Sequence, residues 1–267
     1  ARMDTDGSLA LRFLGVGNAQ AVELGSAAVV LERGGAPVLM IDCGPEAFSA
    51  FVERYGRVPD ALFVTHAHFD HIGGLERLFY RIYFDETRRG RVKLFAAADL
   101  VPVLQQRIAN YPSPLAEGGA NFWDAFQLVP VDRGFWHAGC WFDVFAVRHH
   151  LPRTAFGIAL RGSFLFTGDT RPVPELVAFH ADGNELIAHD CGLQGNPSHT
   201  GLDDLLAAYS AETRARMVVY HYAKDSDRDV FARAGLRPAS AGDGFALAPA
   251  MDAMQAATLA QHGGRVR

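Results

Sequence analysis

At 267 residues, with 49% apolar and 21% charged, the chain is long enough to bury a substantial core as one large domain or two small ones. Its formal charge of −5 argues against gripping nucleic acid through the overall field, and it contains no run of 18 apolar residues to span a membrane. Three widely spaced cysteines, Cys43, Cys140 and Cys191, form neither a disulfide framework nor a zinc-finger spacing; with a start lacking a basic-then-apolar signal pattern, they point to a reducing, cytoplasmic setting.

In chain order, strands are expected in LALRFLGV, AAVVLE and PVLMIDCG, each ended by Gly, Pro or polar punctuation. PEAFSAFVERYG has helical spacing, a proline at its start and Gly56 as its stop. A strand ALFVT then runs into THAHFDHIGG, and a helix follows from Gly73 or Gly74 through LERLFYRIYF. The clump Arg81, Arg88, Arg89, Arg91 and Lys93 reads as a solvated turn between helix and strand. Residues 107–126 are rich in Pro, Gly and aromatics and long enough to overhang a cleft. They offer Tyr111, Phe122 or Trp123 to stack on a ring, or simply pack as a loop on the core. The second half brings strands in WFDVFAVRHH, AFGIAL, SFLFTGDT and ELIAHDCG, one helix over GLDDLLAAYSAET, and a last strand in RMVVYHYA. Strands come as consecutive runs followed by helices in both halves, which suits two packed sheets with helices outside. No linker composition marks a boundary, so residues 1–267 are expected to form a single domain.

The loop after ALFVT places three histidines and an aspartate within six residues. In an extended segment His66 and His68 face the same way and can share one ion; Asp70 continues that phase and His71 lies one residue on. Imidazole nitrogens with a carboxylate suit zinc, and also manganese or iron. Four such groups exceed what one tetrahedral ion takes from a single loop, so two ions are inferred.

His66-Ala-His68-Phe-Asp70-His71 resembles the HxHxDH signature of the metallo-β-lactamase fold metallohydrolases. FLGVGNA resembles that family's opening strand and glycine turn, MIDCG its second-strand acid, FTGDT its bridging-aspartate strand end and VVYH its last histidine. The resemblance implies an αββα sandwich with two divalent metal ions, zinc first and manganese or iron as alternatives. His66, His68 and a histidine of RHH would hold one ion, with Asp70, His71 and His221 on the other and Asp169 between. Strand alternation lets only one of His149 and His150 point into the cleft; the pattern VRH at a strand end resembles the family better with His149 as ligand, with His150 as the alternative. A hydroxide bridging the two ions would be the nucleophile. Asp42 either hydrogen-bonds a ligand histidine from behind or caps backbone N–H groups.

The loop leading straight into HIGGLERLFY, and the order LIAHDCG then SHTGLDDLLAAY, resemble the ribonuclease Z-like, phosphodiesterase branch. In that likeness His199 donates to the phosphoryl or leaving oxygen, and His189 with Asp190 positions it; the other reading of His199 is a residue at a helix start beside Thr200. Asp70 and Asp169 complete the catalytic candidates. Only twenty residues separate His149 from Asp169, which leaves no room for a tRNA-gripping arm, so the expected substrate is a small phosphodiester or cyclic nucleotide rather than long nucleic acid. Thioester or lactone hydrolysis of the glyoxalase II or lactonase kind is the alternative, as is a non-hydrolytic carrier or cofactor-assembly protein. The branch also implies a homodimer. His137, His180 and His262 are assigned no role.

Overall fold

The computed structural model describes residues 7–110, 114–116 and 118–262. The first sheet takes β1 (Leu9–Gly15), β2 (Ala28–Arg33), β3 (Ala36–Ile41), β4 (Ala61–Val64), β5 (Val92–Ala97) and β6 (Phe126–Val131). The second takes β7 (Gly134–His137), β8 (Cys140–Ala146), β9 (Phe156–Leu160), β10 (Phe164–Phe166), β11 (Leu186–Asp190) and β12 (Met217–Tyr220). A last strand, β13 (Gly244–Ala246), returns to the edge of the first sheet. The strand orders are β13-β1-β2-β3-β4-β5-β6 and β12-β11-β10-β9-β8-β7.

Strands β4, β9 and β12 are buried at every position. Such runs need cover on both faces. Ring contacts supply it on the inner side: Phe135 of β7 stacks on Phe95 of β5 at 4.0 Å and lies 5.9 Å from Phe63 of β4, and Phe13 of β1 meets Tyr220 of β12 at 6.0 Å. Helices supply it on the outer side. In Pro45–Tyr55 the first-turn proline has no N–H to lose, Phe48 and Phe51 turn inward, and Gly56 at φ 66° ends the helix. In Leu75–Tyr83 the buried positions Leu75, Leu78, Phe79 and Ile82 fall at three- and four-residue spacing. The architecture is the αββα sandwich that the sequence implied.

Topology then decides where polar side chains can gather. β3, β4 and β5 are parallel, as are β10, β11 and β12. Their carboxyl ends therefore open on common edges, and in open α/β sheets that edge is where sites form. Asp42 follows β3, His66 follows β4, Asp169 follows β10, Asp190 ends β11 and His221 follows β12.

Several expectations are corrected. The single helix over GLDDLLAAYSAET is two, Leu202–Ala208 and Ala211–Ala215. Tyr209 between them is extended because its hydroxyl is drawn inward, donating to or accepting from His189 Nε2 at 2.7 Å and accepting from the Val173 amide at 2.8 Å, and the Ser210 side chain then caps the second helix. Phe122 follows the packing alternative instead of the stacking one, being fully buried against Phe79 with ring centroids 5.2 Å apart. The Trp123 indole N–H donates to Gln105 Oε1 at 2.6 Å, which holds that ring to its own segment; Tyr111 lies outside the described residues. In the basic clump, Arg88 pairs with Asp60 at 2.8 Å and Arg89 lies over the Tyr83 ring at 4.1 Å.

Candidate metal centre

Among the described residues the strand ends bring together three groups of donor atoms, one of them Asp190, His199 and His221, and the other two share a member. His66, His68, His149 and Asp169 form one, Asp70, His71, His221 and Asp169 the other, with the atoms of each group within 4.8 Å of one another. Asp169 belongs to both. Its Oδ2 lies 3.2 Å from His71 Nε2, 3.2 Å from His221 Nε2, 3.6 Å from His66 Nε2 and 4.0 Å from His149 Nε2.

The chain does not stay extended through the signature. It turns helical at Phe69–Ile72, so Asp70 leaves the phase of His66 and His68 and joins His71 in the second group. His149 and His150 also differ from expectation in their setting. β8 ends at Ala146, so strand alternation does not choose between them. The loop does: His149 is buried with its Nδ1 on the Ser198 carbonyl at 2.9 Å, whereas His150 turns outward and meets the Thr154 hydroxyl at 2.7 Å.

Each inward atom is aimed by a contact behind it. Asp42, fully buried, accepts from the Thr65 amide and hydroxyl, both at 2.7 Å, and meets His71 Nδ1 at 2.7 Å. A proton on Nδ1 frees His71 Nε2 to act as a ligand. Asp190 receives the Thr170 amide at 2.9 Å and meets His199 Nδ1 at 2.8 Å with the same oxygen, Oδ2. The Thr200 hydroxyl donates to the Thr170 carbonyl at 2.7 Å, tying the SHT and GDT segments together. His189 does not fulfil its expected role beside Asp190: its ring engages Tyr209 and the Asp190 carbonyl at 2.7 Å each, away from His199. Sequence reasoning missed Thr65 and the Ser198 carbonyl as aiming groups; a threonine ending a buried strand beside His66 is a signal for the first, while the second is a backbone atom that no side-chain pattern reveals.

The charge balance has physical causes. Burial pushes His66 well below the ordinary imidazole range and His149 down to about 4, which leaves both neutral with a lone pair to offer. Burial works to raise Asp169, but the histidines around it, His221 and His71 foremost, outweigh that and hold it well below the carboxylate range. His221 shows the reverse: burial works to lower it, yet Asp169 and Asp190 draw it up to about 10. A field strong enough to hold a proton on a buried histidine is equally available to a metal cation. The atoms themselves fit one. His71 Nε2, His221 Nε2 and Asp169 Oδ1 are buried without a hydrogen-bond partner among the described residues, and buried polar atoms are almost always satisfied unless something else engages them.

A cage of imidazoles and carboxylates with unspent donor atoms, at the carboxyl edge of an αββα sandwich, makes this chain a metal-dependent hydrolase of the metallo-β-lactamase fold. A solved diphosphatase of the PhnP family shares that fold, at TM-score 0.72 and 19% identity over 89% of this chain and 97% of that one. Among curated proteins, the Anti-Pycsar protein Apyc1 of Saccharibacillus brassicae is 28% identical over 82% of this chain and 92% of its own length, and that of Paenibacillus xerothermodurans 26% identical over 80% and 88%. The chain belongs to the family described as Anti-Pycsar protein Apyc1, matched over residues 9–237. Among the described residues no helix is long and apolar enough to cross a membrane.

Proposed function

We propose that this hydrolase is a phosphodiesterase acting on a small phosphodiester, a cyclic nucleotide foremost, at a centre of two divalent ions. The observation that carries the reading is the sharing of Asp169 by two donor groups with His199 standing beside them on a buried aspartate. His66, His68 and His149 would hold one ion and Asp70, His71 and His221 the other, with Asp169 common to both. This donor set suits zinc first and manganese or iron next. Two such ions supply Lewis acidity to phosphoryl oxygens and a water deprotonated near neutral pH.

The chain's own groups do the rest. Asp42 and the Ser198 carbonyl hold His71 and His149 in the tautomers that present Nε2. Asp190 holds His199 at Nδ1, which leaves Nε2 to give its proton to the departing ester oxygen as water adds to phosphorus. Asp190 also compensates the imidazolium before that proton leaves, just as it contributes to keeping His199 above the ordinary imidazole range against the opposing pull of burial. We read residues 1–267 as one domain around one site, and the continuity of the core across both sheets supports this.

The test is hydrolysis of bis(p-nitrophenyl) phosphate and of 3′,5′-cyclic nucleotides, run beside a thioester and a lactone on zinc- and manganese-loaded protein. Selective diester turnover, lost in Asp169→Ala, is the expected result. Cleavage of only the thioester or lactone, or full activity in Asp169→Ala, would overturn it.

A further inference from the structure

Two cavities open beside the donor cluster. One, of about 290 Å³, is lined by Asp190, His199 and His221 with the amide side chains of Asn18, Gln194 and Asn196. The other, of about 420 Å³, opens against His68 and Asp70 and lies within the size range of small-molecule sites. Away from His68 and Asp70 its walls are largely apolar, with Ala21, Val22, Pro45 and Phe69, and carry three polar side chains, Ser26, Glu46 and Asn18, the last with its Oδ1 taken by the Gln20 amide at 3.0 Å. We propose that this second cavity is the nucleobase subsite of the enzyme, and that Glu46 selects bases carrying an exocyclic amino group over those carrying a carbonyl there. The inference rests on the phosphodiesterase reading and deepens it.

Phe69 and Val22 are the first reason. They are 62% and 64% exposed, on the wall of the same cavity, and Phe69 is flanked in sequence by the donors His68 and Asp70. Large apolar side chains left open at a polar site gain free energy once a flat ring covers them.

The Ser26–Glu46 pair is the second. The Ser26 hydroxyl donates to Glu46 Oε2 at 2.6 Å and accepts from the Glu46 amide at 3.3 Å, so the carboxylate is fixed from behind. Glu46 Oε1 has no hydrogen-bond partner among the described residues. An acid in the first turn of a helix is favourable in itself, but that does not account for the bond to Ser26, twenty residues away. A carboxylate oxygen offers acceptors only. It therefore welcomes the amino group of cytosine, adenine or guanine and repels the O4 carbonyl of uracil. The cavity is also joined rigidly to the donor loop. A Cβ on Gly44 would lie 1.9 Å from the Asp70 carbonyl oxygen and 2.3 Å from Ser26 Oγ, so the chain passes there in direct contact with both.

Cyclic CMP and cyclic UMP test this directly, because they share sugar, phosphate and ring size and differ only along one base edge, a 4-amino group beside a bare N3 in cytosine against a 4-carbonyl beside an N3–H in uracil. The ratio of their kcat/KM values, measured on one metal-loaded preparation, does not depend on the fraction of protein that is active. We expect the cytosine nucleotide to be favoured about tenfold, as a site built to pair a polar group rejects its mismatch, and Glu46→Gln, which presents a donor as well as an acceptor, to bring the ratio close to one. Hydrolysis of both nucleotides with a ratio near one in the parent enzyme, or a ratio unchanged by Glu46→Gln, would overturn the subsite and leave the phosphodiesterase reading standing. Failure to hydrolyse any cyclic nucleotide or bis(p-nitrophenyl) phosphate would overturn both together.

Discussion

Replacing Asp42 with asparagine should weaken metal binding without emptying the site. Position 42 has φ 64°, a left-handed conformation that asparagine tolerates at least as well as aspartate, so the exchange leaves the backbone alone. The carboxylate now accepts three protons, from the Thr65 amide, the Thr65 hydroxyl and His71 Nδ1. An asparagine oxygen facing the Thr65 amide puts its NH2 group toward the other two. The hydroxyl can rotate and accept. The imidazole cannot, unless it moves its proton from Nδ1 to Nε2, the atom that lies 3.3 Å from Asp70 and 3.2 Å from Asp169. A proton would then occupy the very lone pair a metal needs. Loss of such a supporting contact costs about 10- to 100-fold in metal affinity, or about 1.4–2.8 kcal/mol. Competition against a chromophoric chelator, resolving the two binding events, measures it directly. Asp42→Asn affinities within about twofold of the parent for both ions would refute the tautomer argument, since that lies well under the expected loss.

Three further outcomes follow from the same structure. The Glu32 carboxylate, 2% exposed, meets Arg12 and Arg54 at 3.2 Å and Tyr55 at 2.6 Å; burial works to raise it, but the three partners together hold it below the usual carboxylate range. Its stabilisation is therefore present above the unfolded value of about 4.3 and is lost as pH falls through the lower folded value, so the stability gap between the parent and Glu32→Gln in urea melts should shrink from pH 6 toward pH 3. Gly44→Ala should displace Asp70 and Ser26 together, costing about 1–3 kcal/mol by thermal unfolding and weakening the ion that Asp70 would hold more than the other. His221→Gly should be more stable than His221→Ala in metal-free protein by about 1 kcal/mol, because position 221 has φ 71° and both variants lack the ring; equal melting temperatures would remove strain from the account of that strand end.

Much of the centre was legible because the residues that matter carry unusual chemistry at strand ends. His66, His68, Asp70, His71, Asp169 and His221 all fall where an apolar run stops, and the structure gathers them. Less legible were orientations that tertiary contacts decide, although the likeness at the strand end favoured His149, which the structure does gather with His66 and His68. His149 and His150 follow β8 in an irregular segment, so a period-two argument had nothing to act on, and a single carbonyl at Ser198 turns the inward ring. His189 read as Asp190's companion because the two resemble the branch's His-acid pair. Within a strand, however, adjacent side chains face opposite ways, and His189 is taken by Tyr209 on the other side of the sheet. Tyr209 in turn broke a helix that propensity alone would have continued.

The strained positions make the same point from the energetic side. Asp42 and His221 are two of only four non-glycine residues at positive φ among the described residues, and both sit at the cluster. Such conformations cost of order 1–3 kcal/mol each. Parallel strands deliver their ends to one edge but leave side chains alternating across the sheet, so pleat geometry by itself would not converge donors from two packed sheets. A left-handed residue directly after β3 and another directly after β12 break the pleat where convergence is needed. The His221 amide is held there by the Val16 carbonyl at 2.7 Å, and the Asp42 amide by the Phe63 carbonyl at 2.9 Å. The sandwich thus bears backbone strain at two strand ends and offsets it with hydrogen bonds to β4 and to the segment just past β1, so that atoms from both sheets meet on Asp169.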